Sequence, residues 1–149
     1  MTIQCEIVTQ ERAVFSGPVD MVNVPGVEGR MGILPNHTAL LTTLAYGEVT
    51  VKVDGEEQFF AIGGGILEVQ PDKVVILADS AEHADEIDLQ RAEEARRQAE
   101  KVMEEGVPED PEQYAQIRAS LLRAQARLQV GQRRRRSSAM ATGNYEDNS

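Results

Sequence analysis

The chain has 149 residues, with 25 acids against 15 bases for a net charge of −10, and only 4% aromatic residues. That is about one domain, or one domain with an appendage, and too acidic and too poor in stacking groups to favour nucleic acid or an anionic membrane. No run of about 18 apolar residues could span a bilayer, the first six residues lack the marks of a secretory signal, and lone Cys5 permits neither an internal disulfide nor a cysteine zinc cluster, so a soluble chain facing the cytosol is expected.

Nine of the 12 glycines and four of the six prolines fall in residues 1–71, and neither type occurs between Pro71 and Gly106. Short elements should therefore come first and long ones after. Ile3, Cys5 and Ile7 alternate with polar residues, as do Val49, Val51 and Val53, which is the period of a strand with one buried face. Asp54-Gly55 between residues 50–53 and 58–61 predicts a hairpin on a type I′ turn. Gly63-Gly64-Gly65 is not followed by Lys-Ser or Lys-Thr, so it reads as a strand kink where backbones approach closely rather than as a phosphate cradle. Pro71-Asp72 turns the chain between the apolar runs 66–70 and 73–78. Strands so spaced, without helical pattern between them, predict an antiparallel sandwich or barrel over residues 1–84.

From Ile87 the period changes. Leu89, Ala92, Ala95 (or Arg96), Ala99 and Val102 lie on one helical face, and residues 104–111 turn the chain. Tyr114, Ile117, Leu121, Ala124 and Leu128 then form the seam of a second helix. The two predict an antiparallel hairpin over residues 85–132, only marginally stable because alanine buries little area. Residues 133–149 show no apolar periodicity and are expected to be disordered, with the basic run 133–136 solvated rather than bound to nucleic acid. Residues 1–79 carry four bases and eleven acids, 80–112 four and twelve, and 113–149 seven and two. Segments of opposite sign invite pairing, for example Arg118, Arg123 and Arg127 against Glu93, Glu94 and Glu100.

Catalytic chemistry is hard to assemble from these residues. His37 and His83 stand apart without ligand spacing, and Ser16, Ser80 and Ser120 sit in no nucleophile elbow. Neither a catalytic residue nor a metal ligand is assigned.

Three motifs carry a resemblance. Gly29-Arg30-Met31-Gly32-Ile33-Leu34-Pro35-Asn36-His37, Gly63-Gly64-Gly65-Ile66-Leu67-Glu68-Val69-Gln70-Pro71 and Val75-Ile76-Leu77-Ala78-Asp79 resemble signatures of the epsilon subunit of bacterial F-type ATP synthase, over roughly residues 2–130. The resemblance implies a β + α fold, a ten-stranded antiparallel sandwich followed by the two-helix hairpin. It also implies a non-catalytic central-stalk subunit that joins the gamma subunit to the c-subunit ring and couples proton flow to ATP synthesis. The hairpin would extend into the alpha and beta subunits of the catalytic head and inhibit hydrolysis, a switch between two states close in energy. No cofactor is required, nucleic acid is not a partner, and the chain would lie peripherally on the cytoplasmic face of the cell membrane, held there only through the complex. Gly29, Arg30, Met31 and His37 would belong to the loop touching the c ring and gamma, with a capping or packing role the alternative for His37. Arg118, Arg123 and Arg127 would face an acidic loop of beta when the hairpin extends.

Ile87-Asp88-Leu89-Gln90-Arg91-Ala92 is similar to an ATP-binding signature of some family members, in which Glu82 would be the upstream acid and Arg123 and Arg127 the arginine pair. A hairpin turning at about residue 108 sets Arg91 opposite roughly residue 125, between those two arginines. Three guanidiniums beside Asp88 suit phosphate, and the ATP would be a regulatory ligand, not a substrate. The plain alternative makes Asp88 a helix cap with Arg91 beside it. A free-standing ATP-sensing module is the rival function, separable by co-purification with gamma.

Overall fold

The computed structural model describes the backbone of residues 1–146 and side chains through Arg133. Eight strands come first: β1 (Ile3–Val8), β2 (Ala13–Val19), β3 (Met21–Gly26), β4 (Gly29–Ile33), β5 (Leu40–Val53), β6 (Glu56–Gln70), β7 (Lys73–Ala78) and β8 (Ala81–His83). A 3₁₀ turn (Ala84–Glu86) leads into α1 (Leu89–Glu105) and α2 (Pro111–Glu146).

The strands form one hydrogen-bonded path, β2-β1-β7-β6-β5-β3-β4, with β8 added to β6. The sheet is mixed rather than purely antiparallel, because β7 returns beside β1 in the parallel sense, Cys5 opposite Val74. The count is eight rather than ten. The β5–β6 ladder runs from Leu40 opposite Val69 to Val53 opposite Glu56, so each of these long strands continues where shorter ones were expected. Both serve two layers: Gly65–Gln70 of β6 pairs with β7, whereas Phe60–Ile62 pairs with β8.

The passage between layers falls on the glycine run. Gly64 and Gly65 have φ of +78° and +133°, a region that L side chains avoid. A β-carbon on Gly65 would run into the Leu77 carbonyl oxygen and lie 2.8 Å from Ala78 Cα. The expected kink with close backbone approach is therefore present. So is the type I′ turn, with φ of 51° at Asp54 and 83° at Gly55.

Alternation delivers the core. Ile3, Cys5, Ile7, Leu67, Val69, Val74 and Ile76 meet Val22, Val24, Val49, Val51, Phe60 and Ile62 in one buried cluster, to which neither helix contributes. Burial pushes the Cys5 thiol up to about 12, with the neighbouring Glu6 charge adding to the effect.

The helices pack as the expected hairpin, burying Ala92 and Ala99 of α1 and Ala124 of α2. Val102 is exposed, and Met103 takes its place on the half-buried face. The backbone of α2 continues to Glu146, past residue 133 where the tail was expected to begin. Arg, Ala and Met are good helix formers, and extending an existing helix avoids the cost of a nucleus. Residues 147–149 lie outside the described residues.

Gly65→Ala is expected to destabilise the sandwich by about 2 kcal/mol or more. Gly17→Ala, whose nearest neighbour would be 4.0 Å away, is expected to stay within about 0.5 kcal/mol. Thermal melts of the two variants check this, and equal melting temperatures would contradict it.

Candidate functional site

Phe59 and Ala61 of β6 point away from the sandwich core, since their neighbours Phe60 and Ile62 point into it. With Ala84 and Ile87 they make an apolar platform on which Val130 of α2 is fully buried. Gly131 follows, and a β-carbon there would lie 2.5 Å from Leu89 Cδ2. The missing side chain lets α2 close over the start of α1.

Polar groups ring this platform. Glu82 on β8 accepts from Arg127 Nε at 2.8 Å, both side chains being mostly buried. Arg12, in the β1–β2 turn, donates to both carboxylate oxygens of Glu86, at 2.8 and 3.4 Å. That hydrogen bonding, more than the charge of Arg12 itself, holds the Glu86 carboxyl below its usual range. Arg12, Ser80, Glu82, Glu86, Arg123, Ala126 and Arg127 enclose a cleft of about 250 Å³. His83 completes the junction, stacked edge-on against Phe60 at 4.9 Å and accepting from the Asp85 amide through Nδ1.

Of the residues assigned to a nucleotide, Glu82, Arg123 and Arg127 converge on this cleft, but Asp88 and Arg91 do not line it. Asp88 caps α1, accepting from the Gln90 and Arg91 amides at 3.1 and 3.2 Å. Arg91 lies 83% exposed, its Nε 4.0 Å from Asp88. Arg12 and Glu86 were missed because the β1–β2 turn lies more than 70 positions from the 3₁₀ turn. The pairing expected across the hairpin is replaced by pairing within α1, where Glu93 and Glu100 both hold Arg96 and Glu93 also holds Arg97. Those carboxylates are spent along their own helix, as spacings of three and four allow.

The segment assigned to partner contact is a strand followed by a loop. Gly29, Arg30 and Met31 lie on β4, at one end of the strand order, paired with Gly26, Pro25 and Val24. Arg30 Nε donates to Asn23 at 2.8 Å. His37 lies beyond the other end of β4, its Nδ1 2.7 Å from the Thr38 carbonyl. Exposed Val27 and Leu34 flank the strand. A second exposed apolar set was also missed: Leu41, Ile66 and Leu77, at 72%, 46% and 48% exposure. Ile66 and Leu77 are directly opposed on β6 and β7. Their signal is loss of alternation, since runs such as Val74-Val75-Ile76-Leu77 are apolar in both phases.

The chain matches two adjoining family domains, "ATP synthase, Delta/Epsilon chain, beta-sandwich domain" over residues 2–84 and "ATP synthase, Delta/Epsilon chain, long alpha-helix domain" over residues 85–132. It is 53% identical to an ATP synthase epsilon chain of Herpetosiphon aurantiacus, an alignment covering 91% of this chain and 98% of that one. It is 50% identical to an ATP synthase epsilon chain of Dehalococcoides mccartyi, covering 90% and 95%. A chain in the cryo-EM structure of the Euglena gracilis mitochondrial ATP synthase shares the fold with a TM-score of 0.72 at 23% identity, covering 84% of this chain and 78% of that one.

Val130→Ala removes about 1–2 kcal/mol of buried apolar contact from the platform. Hydrogen–deuterium exchange of α2 amides is expected to quicken by about tenfold while β1 and β7 keep their protection. Unchanged exchange in α2 would mean that this cluster does not hold the helix.

Proposed function

The chain belongs to the ATP synthase delta/epsilon family, and from that membership we propose that it serves as a non-catalytic central-stalk subunit of an F-type ATP synthase. In this reading the sandwich docks on gamma and the c ring, transmitting proton-driven rotation to ATP synthesis. The hairpin restrains hydrolysis when it leaves the sandwich and extends toward the alpha and beta subunits. The observation that carries the reading is the independence of the two parts: the sandwich core is complete without the helices, and among the described residues the hairpin rests on it through one small apolar cluster and two ion pairs. A contact of that size is worth only a few kcal/mol, the range in which a two-state element can be switched. The exposed Leu41, Ile66 and Leu77 leave apolar surface for a protein partner. No helix among the described residues is long and apolar enough to cross a membrane, in keeping with attachment through the complex.

Reconstitution tests this. Adding the full chain to an epsilon-depleted complex is expected to lower ATP hydrolysis. A chain ending at Ala84 is expected to retain gamma binding in a pull-down and to leave hydrolysis uninhibited. Loss of gamma binding on that truncation would sink the division of labour.

A regulatory ATP at the cleft between hairpin and sandwich belongs to the same proposal. Its support is the convergence of Arg12, Arg123 and Arg127, from a turn and a helix, around one cleft with Glu82 and Glu86. Guanidiniums suit phosphate, and the carboxylates could accept from the adenine amino group. At about 250 Å³ the cleft falls just short of the ~300 Å³ at which small-molecule pockets usually begin. Entry of the nucleotide therefore requires the cleft to widen. In titration calorimetry Arg127→Ala is expected to weaken ATP binding by about tenfold, and Arg91→Ala by clearly less. Equal losses, or no heat at about 1 mM ATP, would remove the nucleotide from the reading.

A further inference from the structure

Glu48, on the outer face of β5, is the one charged side chain among the described residues that is buried, at 2% exposure. Its Oε1 accepts from Thr50 Oγ1 at 3.0 Å and from Arg133 Nη1 at 2.5 Å. Its Oε2 is buried with no hydrogen-bond partner among the described residues. Arg133 stands 54% exposed, its guanidinium 4.8 Å from the centroid of the Phe59 ring. The basic run beginning at this residue is therefore not simply solvated: its first member reaches back to the sandwich across 85 positions.

We propose that Glu48 is the lock of the hairpin, a carboxylate buried under α2 that keeps the helix docked only while Arg133 closes on it. The two partners are unequal. With the hairpin docked, Glu48 has lost its water and relies on Arg133 for its counter-charge. Arg133 keeps access to solvent and relies on Glu48 far less. Removing the arginine strands a buried charge, and releasing α2 is the simplest way to rehydrate it. Removing the charge of Glu48 leaves no buried charge to strand, only a neutral amide that Thr50 and Arg133 still meet. With that charge gone, the apolar platform of Phe59, Ala61 and Val130 still holds the helix, so the lock acts on top of it. The consequence for hydrolysis rests on the switching role proposed above, but docking itself is measured on the free chain, so failure of one leaves the other standing.

The test is hydrogen–deuterium exchange on the full chain, comparing amides in residues 120–131 of α2 with those of β1 and β7. Arg133→Ala is expected to speed α2 exchange by about tenfold or more, with the sandwich unchanged. Glu48→Gln is expected to leave α2 within about threefold of the parent. The double variant is expected to return most of the protection that Arg133→Ala alone removes, a non-additivity that a solvent-exposed ion pair would not produce. Unchanged exchange in Arg133→Ala would overturn the proposal. A double variant as unprotected as Arg133→Ala would overturn it as well, because the stranded charge would not be the cause. Loss of protection in β1 and β7 would also overturn it, since the contact would then hold the sandwich rather than the hairpin.

Discussion

Two adjacent phenylalanines organise the molecule. A strand must send successive side chains to opposite faces, so Phe60 fills the sandwich core while Phe59 lies outside it, beneath the helical hairpin. Phe60 meets Phe15 and His83 edge-on, joining the core to the strand that leads into the helices. Phe59 supplies the platform for Val130 and the face over which Arg133 rests. One dipeptide thus divides the apolar surface of β6 between a permanent core and a detachable contact, and the proposed function depends on that division.

The two contacts differ in scale and in kind. The sandwich buries more than a dozen large apolar side chains in one cluster, each worth about 1.5–3 kcal/mol, and nothing in the proposed switching needs to open it. The hairpin contact combines a handful of small apolar groups with charge pairs whose net value is modest, because desolvation offsets much of their attraction. Alanine at the helix seam and glycine at residue 131 bring the elements close without adding much buried area. An element held this way can leave its site under a competing interaction, whereas one anchored by leucine and phenylalanine along its length could not.

Charge works with this arrangement. The acids of residues 80–112 divide among several partners: Glu93 and Glu100 pair along α1, Glu86 with Arg12, and Glu82 with Arg127. The ion pairs that tie α2 to the sandwich come from Glu48 and Glu82, on two strands that flank β6. Moving the hairpin therefore uncovers two carboxylates on the sandwich and, among the described residues, two arginines on the helix together.

The sequence by itself determined what depends on neighbours along the chain. The alternation of Ile3, Cys5 and Ile7, the type I′ turn at Asp54-Gly55, the glycine kink and the Asp88 cap all act within a few residues, and each was legible. So were the hairpin, from two helical periods joined by a short turn, and the family, from three local motifs in order. Only the tertiary structure decided the parallel pairing of β1 with β7, the continuity of β5 and β6, and the partners of the basic residues. Strand order and charge pairing join positions 45 to 85 residues apart, as Glu82 with Arg127 and Glu48 with Arg133, and no local pattern distinguishes one acid from another as the partner. A buried glutamate reads like any other glutamate in the sequence until a second element covers it.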